Sequence, residues 1–298
     1  MRASLLATLV AAPLAFVPPA FAGGIVERNL TAGSPALGRP ITYSLYQPAA
    51  APPAGTQWPV VYLLHGGGGS GADWLDLGHI AETLDSAIAS GAIRPIMAVM
   101  PDGGGTSWFV DNPDPGGSGA VETALTTDLV KAVDSSRPTV ACREGRAVAG
   151  LSMGGYGAAL FALDQPERFS AAILLSGAIA RPIPADDAAR IAKGDAFYDG
   201  AFGKPFDVRR FNALNVYPRV AADAALPNRP SFWITAGDQD GAGIITGSAD
   251  FHVTLRRAGY DTTLRIGPGQ HDWTNWSRSI LPALEWLSPR LADRCQAQ

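Results

Sequence analysis

Six short apolar runs recur along the chain, at 60–64, 96–100, 147–151, 171–175, 232–236 and 263–266, each bounded by Gly, Pro or Asp. They are continuous rather than alternating. A strand that is apolar on both sides must be covered on both faces, which is the condition of a parallel sheet buried between helices. The intervening stretches supply those helices. Residues 80–90 put Ile80, Leu84, Ala87 and Ile88 on one face, and 122–133 do the same with Leu125, Leu129, Val130 and Val133. Residues 155–163 are apolar nearly throughout, as in a buried helix, and 251–258 and 276–291 complete the set, with Pro282 placed to kink or delimit the last. The pattern predicts an α/β fold with a mostly parallel central sheet and helices on both faces. Residues 24–48 differ. They alternate (Ile41-Thr42-Tyr43-Ser44-Leu45-Tyr46) and are rich in turns, so they read as an antiparallel hairpin at the sheet's edge.

No repeat, charge block or long polar linker divides the rest, and 47% apolar residues are ample for a core. Residues 23–298 therefore read as a single domain. One segment, 179–230, lacks clean periodicity and is long for a connection, so it is expected to be a cap or substrate-binding excursion.

Residues 1–22 have the form of a secretory signal. Arg2 is the only charge, an apolar run spans 5–17, and Ala20-Phe21-Ala22 offers a cleavage site before Gly23. Pro13, Pro18 and Pro19 interrupt the run, which argues against a membrane anchor. Nothing further along approaches the roughly 18 apolar residues of a span. The mature chain is thus expected to be secreted or periplasmic, without a membrane span. In an oxidising compartment Cys142 and Cys295 are expected to pair and tie the C-terminal tail to the body. A net charge of −4 gives no electrostatic support to a nucleic-acid partner.

Gly150-Leu151-Ser152-Met153-Gly154 matches G-x-S-x-G, a motif that carries weight only in its context. Here an apolar run leads in and a small-residue helix leads out. A serine on so sharp a strand-to-helix turn has a strained backbone, and glycines on either side relieve the crowding. The turn lifts the hydroxyl above the sheet and aims a helix N-terminus at the place where an oxyanion would form. After the first apolar run comes His65-Gly66-Gly67-Gly68-Gly69, whose glycines leave backbone N–H groups uncovered. Gly67 and Met153 are the expected oxyanion donors. The loop has no P-loop lysine, and His65, at a strand end before Ser152, is expected to be structural.

Of four histidines, His271 sits in Gly267-Pro268-Gly269-Gln270-His271-Asp272-Trp273, a loop after an apolar run, where the sites of α/β sheets gather. His79 and His252 fall in helical patterns. His271 is the expected base for Ser152, and a carboxylate must orient it. Asp238 and Asp240 both follow the run 232–236. Hydrolases of this order run Ser, acid, His, which either satisfies, and Asp240 is favoured. Their turn lacks the spacing of a calcium loop, so neither metal nor cofactor is expected.

Leu64-His65-Gly66-Gly67, Gly150-Leu151-Ser152-Met153-Gly154-Gly155, Phe169 to Ser176-Gly177 and Gly269-Gln270-His271-Asp272-Trp273-Thr274-Asn275-Trp276 together resemble the esterase D group of α/β hydrolases. That group includes feruloyl esterases, S-formylglutathione hydrolases, enterochelin esterases and mycolyltransferase antigens. The resemblance implies the α/β-hydrolase fold, a triad of Ser152, Asp240 and His271, and oxyanion donors at Gly67 and Met153. The group's G-x-x-D pattern after Gly237 selects Asp240. It also implies a serine carboxylesterase, which the signal segment makes a secreted one, acting on small-molecule or polysaccharide-linked esters, with feruloyl or short acyl groups in view. The alternative is an acyltransferase of the mycolyltransferase type, passing the acyl group to a sugar or other alcohol. Trp108, Phe109, Phe197, Tyr198, Trp273 and Trp276 are the expected aromatic walls of the acyl pocket, with Trp108, Phe109 and Trp273 foremost.

Overall fold

The structure is a computed structural model that describes residues 23–222 and 226–295. The expected signal segment, 1–22, lies outside them. Eight strands form one sheet in the order β1-β2-β4-β3-β7-β8-β9-β10. These are β1 (Ile25–Ala32), β2 (Ile41–Gln47), β3 (Val60–Leu64), β4 (Met97–Pro101), β7 (Arg146–Leu151), β8 (Ala171–Leu175), β9 (Ser231–Gly237) and β10 (Thr262–Gly267). The pairings β1–β2 and β2–β4 are antiparallel and the others parallel, so the N-terminal hairpin sits at one edge. A separate two-stranded ribbon joins β5 (Asp111–Asn112) to β6 (Gly119–Ala120). This is the mostly parallel, helix-covered sheet that the apolar runs predict, in the α/β-hydrolase arrangement that the resemblance implies.

Side chains of the central strands alternate between two buried cores. Val60, Tyr62 and Leu64 of β3 face one, and Val61 and Leu63 the other. In β8, Ala172 and Leu174 point one way, and Ala171, Ile173 and Leu175 the other. All five residues of each strand are buried, which is why the sequence shows runs rather than alternation. The second core is closed by α2 (Ile80–Ala89) and α10 (Trp273–Leu287), through Ile80, Leu84, Ile280, Leu284 and Leu287. The short α1 (Asp73–Asp76) precedes α2. The first core is closed by α5 (Met153–Asp164), buried from Met153 to Leu163, and by Leu125, Leu129, Val130 and Val133 of the 121–136 helix. Burying each such leucine or valine is worth about 1.5–3 kcal/mol.

Three expected elements differ in detail. The helix at 122–133 is α3 (Val121–Thr123) and α4 (Val130–Ser136) joined by a π-helical stretch, Ala124–Leu129. The Thr126 hydroxyl donates to the Glu122 carbonyl at 2.8 Å, competing with the ordinary helical partner. The helix expected at 251–258 is longer, α9 (Ala242–Arg257). Its first turns mix glycines with Ile244 and Ile245 and show no clean apolar period, and Gly247 must stay small because a Cβ there would sit 2.2 Å from the Ile179 carbonyl oxygen. Segment 179–230 contains α6 (Ala188–Tyr198), α7 (Val208–Ala213) and α8 (Val216–Ala222). Only part of it is an excursion toward the site. Val216, Tyr217 and Val220 of α8 belong to the first core, and the Tyr156 hydroxyl on α5 donates to the Leu214 carbonyl at 2.8 Å.

The register fixes what comes next. β3 pairs with β7 from Val60↔Arg146 to Leu64↔Gly150, so the loops leaving both strands emerge side by side. Gly237 of β9 likewise ends opposite Gly267 of β10. Four loops therefore meet at the carboxyl edge of the sheet, where α/β folds build their sites.

Candidate active site

Ser152 is the single residue between β7 and α5, with φ 52° and ψ −115°. That backbone is costly for a residue with a side chain and persists only where neighbours enforce it. Here the Ser152 N–H donates to the Leu175 carbonyl at 3.0 Å. The Ser152 carbonyl accepts from Gly155, Tyr156 and Ala178 at 3.0, 3.2 and 2.9 Å. The turn lies tight against the end of β3, since a Cβ on Gly154 would sit 2.4 Å from the Leu64 carbonyl oxygen.

His271 lies between β10 and α10. Its Nε2 is 2.8 Å from the Ser152 Oγ, and its Nδ1 is 2.6 Å from the Asp240 Oδ1. A carboxylate only accepts, so Nδ1 carries the proton and Nε2 turns its lone pair to the serine. The Asp240 side chain is fully buried while that of His271 is 36% exposed. Burying a carboxylate is costly unless it is hydrogen-bonded. Asp240 accepts from the Gly237 N–H at 3.3 Å and the Gly241 N–H at 3.2 Å as well as from the imidazole. Asp238, the other carboxylate of this turn, is exposed and does not face the histidine. Its Oδ1 accepts from the Gly269 N–H at 3.1 Å, and the Asp238 and Gln239 N–H groups donate to Gly267 and Gly269 at 2.7 and 2.8 Å. Those bonds clasp the acid loop to the histidine loop. Asp272 caps α10 by accepting from the Asn275 N–H at 2.9 Å, and the Asn275 side chain donates to the Gln270 carbonyl at 2.9 Å.

The glycine loop runs past the serine. A Cβ on Gly66 would meet Leu151 Cδ1 at 2.7 Å, and one on Gly67 would be 4.0 Å from Met153 Cβ. Met153 opens α5, so its N–H is among those a helix start leaves without an intrahelical partner. Gly67 and Met153 thus stand together beside Ser152. The Gly68 N–H donates to Gly105 at 2.6 Å and the Gly69 N–H to Gly66 at 3.2 Å, which holds the loop's shape. His65 is wholly buried beneath it. Its Nδ1–H donates to the Gly66 carbonyl at 2.8 Å, and its Nε2 accepts from the Gly103 N–H at 3.1 Å. Accepting at Nε2 requires the neutral ring, and burial pushes its pKa below the ordinary imidazole value.

A cavity of about 580 Å³ opens over these groups, with walls that include Trp108, Met153, Phe197, Ile244, Trp273 and Trp276. Trp273 and Trp276 meet edge to face at 5.4 Å, and Trp276 stands edge-on to His271 at 5.1 Å. Phe109 is a correction: it does not line the cavity. It is completely buried, 5.2 Å from the His65 ring and 6.2 Å from that of Phe161, and a Cβ on Gly157 would press on it at 2.8 Å. It packs α5 against the glycine loop's histidine. Tyr198 also turns inward, stacking on Phe206 at 5.1 Å behind Trp108. Ile244 and Thr106, which do reach the cavity, carry no sequence signal of their own: one sits in the unpatterned start of α9, the other in a Gly-rich loop. Cys142 and Cys295 form a disulfide with Cα atoms 5.9 Å apart. Cys142 precedes β7, at the opposite end of that strand from Ser152.

The family model described as Putative esterase matches residues 34–287. The chain belongs to that family. Membership places it among hydrolases of carboxylic esters. An acetyl esterase of Caldicellulosiruptor saccharolyticus is 27% identical over 76% of this chain and 82% of its own length. An endo-1,4-beta-xylanase/feruloyl esterase of Xylanibacter ruminicola is 34% identical over 42% of this chain, a match spanning only 17% of that relative. Among solved structures, a ferulic acid esterase superposes with a TM-score of 0.70 at 23% identity, covering 90% of this chain and 98% of the other.

Proposed function

We propose that the protein is a secreted serine carboxylesterase working through an acyl-enzyme on Ser152. The observation that carries this reading is the unbroken relay from the buried Asp240 through His271 to the strained Ser152, at 2.6 and 2.8 Å. As the Ser152 Oγ attacks the ester carbonyl, its proton passes to His271 Nε2. The carbonyl oxygen becomes an oxyanion, for which the Gly67 and Met153 N–H groups are the donors. The carbon–alcohol bond then breaks, and His271 returns the proton to the departing alcohol. A water molecule repeats the sequence on the acyl-enzyme, giving the acid and regenerating the serine. Asp240 keeps the imidazole in the useful tautomer and stabilises it when charged.

The exposure of His271 favours hydrolysis over acyl transfer, since water reaches the acyl-enzyme from the open side. The aromatic walls suit feruloyl-type or short acyl groups, in keeping with the names of the relatives. The disulfide supports an oxidising compartment, and so does the composition of residues 1–22.

Hydrolysis of p-nitrophenyl acetate, butyrate and octanoate and of methyl ferulate, by wild type and Ser152→Ala, tests the proposal. Turnover lost in the variant is the expected result, and the order among the four esters reports the pocket. A Ser152→Ala protein as active as wild type would overturn it. Acylated glycerol or sugar forming in preference to free acid, with the acceptor present, would turn the assignment to a transferase.

A further inference from the structure

Every residue of β9 after Ser231 is buried, whereas none of β10, the strand that ends the sheet, is. Trp233 of β9 packs in the second core, on the α10 side of the sheet. Side chains alternate along a strand, so Thr235 faces that side too. Arg265 of β10 is the register partner of Thr235 and stands beside it. Between this strip and α10 lies a cleft of about 290 Å³, whose helical wall carries Arg278 and Ser279. It shares no lining residue with the catalytic cavity. We propose that this cleft binds a small carboxylate with a flat, apolar, single-ring body.

Charge argues for the carboxylate. Arg265 and Arg278 line the cleft, and among the described residues no acid does. The Arg265 guanidinium lies over the Trp233 ring at 5.2 Å and donates to the Leu264 carbonyl at 2.9 Å, and Arg278 donates to the Pro268 carbonyl. Among the described residues neither pairs with an acid, whereas Arg290, just beyond α10, meets Asp261 at 3.4 Å. Two guanidiniums without a counter-charge thus open on one small space in a chain of net charge −4. Each has five N–H donors and spends one on a backbone carbonyl, and the rest suit the two coplanar oxygens of a carboxylate. Thr235 and Ser279 add hydroxyl groups to the lining.

Shape argues for the ring. The remaining walls include Ile266, Pro268 and Pro282, and Ile266 is 43% exposed. A hydrated inorganic anion gains nothing from such walls, whereas an apolar body removes them from water. The volume falls just under the range of about 300–1,000 Å³ usual for ligand pockets, which suits one ring. Asn275, also in the lining, donates to the Gln270 carbonyl at 2.9 Å, so the cleft backs onto the loop that carries His271. The acid released by ester hydrolysis is a ligand of this chemistry. That link rests on the esterase reading, whereas the site stands on the cleft alone.

Isothermal titration of cinnamate into protein whose Ser152 is blocked by a phosphonate keeps the catalytic cavity out of the measurement. One site per chain is expected. Cinnamyl alcohol, which has the ring without the charge, should bind at least about tenfold more weakly, and cinnamate should lose as much in Arg265→Gln and in Arg278→Gln, the scale of a charged hydrogen bond. Ile266→Ala, at an exposed position, leaves the core intact and should weaken cinnamate by about two- to fivefold. Cinnamate affinity unchanged in all three variants would overturn the site, and so would cinnamyl alcohol binding as tightly as cinnamate. Inorganic phosphate displacing cinnamate at equal concentration would overturn the commitment to a ring. No cinnamate bound to a chain that sediments as a dimer, with Ile266→Lys restoring the monomer, would give the cleft to a second copy instead. A phosphonate that leaves Ser152 unlabelled would sink the esterase reading, yet the comparison of wild type with its variants would still decide the site, because the catalytic cavity is the same in each.

Discussion

Gly150 and Gly154 face each other across the Ser152 turn so closely that a Cβ on Gly150 would lie 2.1 Å from the Gly154 carbonyl oxygen. No side-chain movement relieves a clash with backbone. Gly150→Ala is therefore expected to displace the Ser152 turn and lower kcat by at least about 10²-fold, the scale of losing a positioned oxyanion donor. Gly243→Ala is the matched control. It lies in α9, where an added Cβ meets nothing within 4 Å, and should be neutral or stabilise by about 0.5–1 kcal/mol. Steady-state kinetics and thermal melts on the two proteins check the pair, and equal activity in both would refute the steric account.

The two aspartates of the acid loop offer a sharper contrast. Asp240 Oδ1 holds the Nδ1–H of His271, whereas Asp238 Oδ1 holds the Gly269 N–H. An amide at 240 can present its NH₂ to the ring and favour the wrong tautomer, so Asp240→Asn is expected to reduce kcat by about 10⁴-fold with the fold intact. Asp238→Asn keeps an acceptor for Gly269 and should leave kcat within a few-fold of wild type. A larger loss from Asp238→Asn than from Asp240→Asn would reverse the assignment.

Much of this arrangement was legible because the physics is local. Strands buried on both faces must be apolar throughout, and that made β3, β4, β7, β8 and β9 visible. A glycine pair around a serine between such a strand and a small-residue helix has few explanations, and chain order together with the position just after the run 232–236 narrowed the acid to two neighbouring aspartates, of which the family resemblance selected Asp240. The rest depended on contacts that the sequence does not encode in a period. The start of α9 hides because its Gly247 is pressed against Ile179 and cannot be large. The π-helical stretch keeps the same leucines buried, so the apolar period survives the change in hydrogen bonding. Trp108 and Phe109 read as a pair, yet both take positive φ, 54° and 58°, and their rings diverge, one to the cavity and one to the core.

That divergence predicts different phenotypes for two phenylalanines. Phe109 is fully buried and Phe197 is 61% exposed at the cavity wall. Phe109→Ala is expected to cost about 3–5 kcal/mol in stability through the cavity it leaves. Phe197→Ala should cost under about 1 kcal/mol but raise KM for aromatic acyl esters, since removing an exposed ring loses little burial. Denaturant titration and a KM series on methyl ferulate and p-nitrophenyl acetate separate the two. A stability loss at Phe197 as large as at Phe109 would place Phe197 in the core instead.

Glu122 supplies the pH prediction. It is buried at the start of the 121–136 helix, and desolvation, helped by repulsion from Asp164 and Asp111, pushes its carboxyl up to about 8, with the Arg219 charge opposing. Asp164, the last residue of α5, shares a side-chain hydrogen bond with Glu122 and is paired to Arg219. The native state thus holds a proton that the unfolded chain releases near pH 4.5. Between that pH and about 8 the folded form binds more protons, so Glu122 contributes stability fully present below the lower value and lost as pH rises through the upper one. The loss is on the order of 1 kcal/mol for each pH unit crossed in that window. Glu122→Gln keeps the shape and a donor for Asp164 but has no proton to lose. It should therefore be more stable than wild type at pH 8 and should remove this part of the decline between pH 5 and 8. Urea titrations of both proteins across that range check the sign, and parallel pH profiles would show that Glu122 is ionised in the native state throughout.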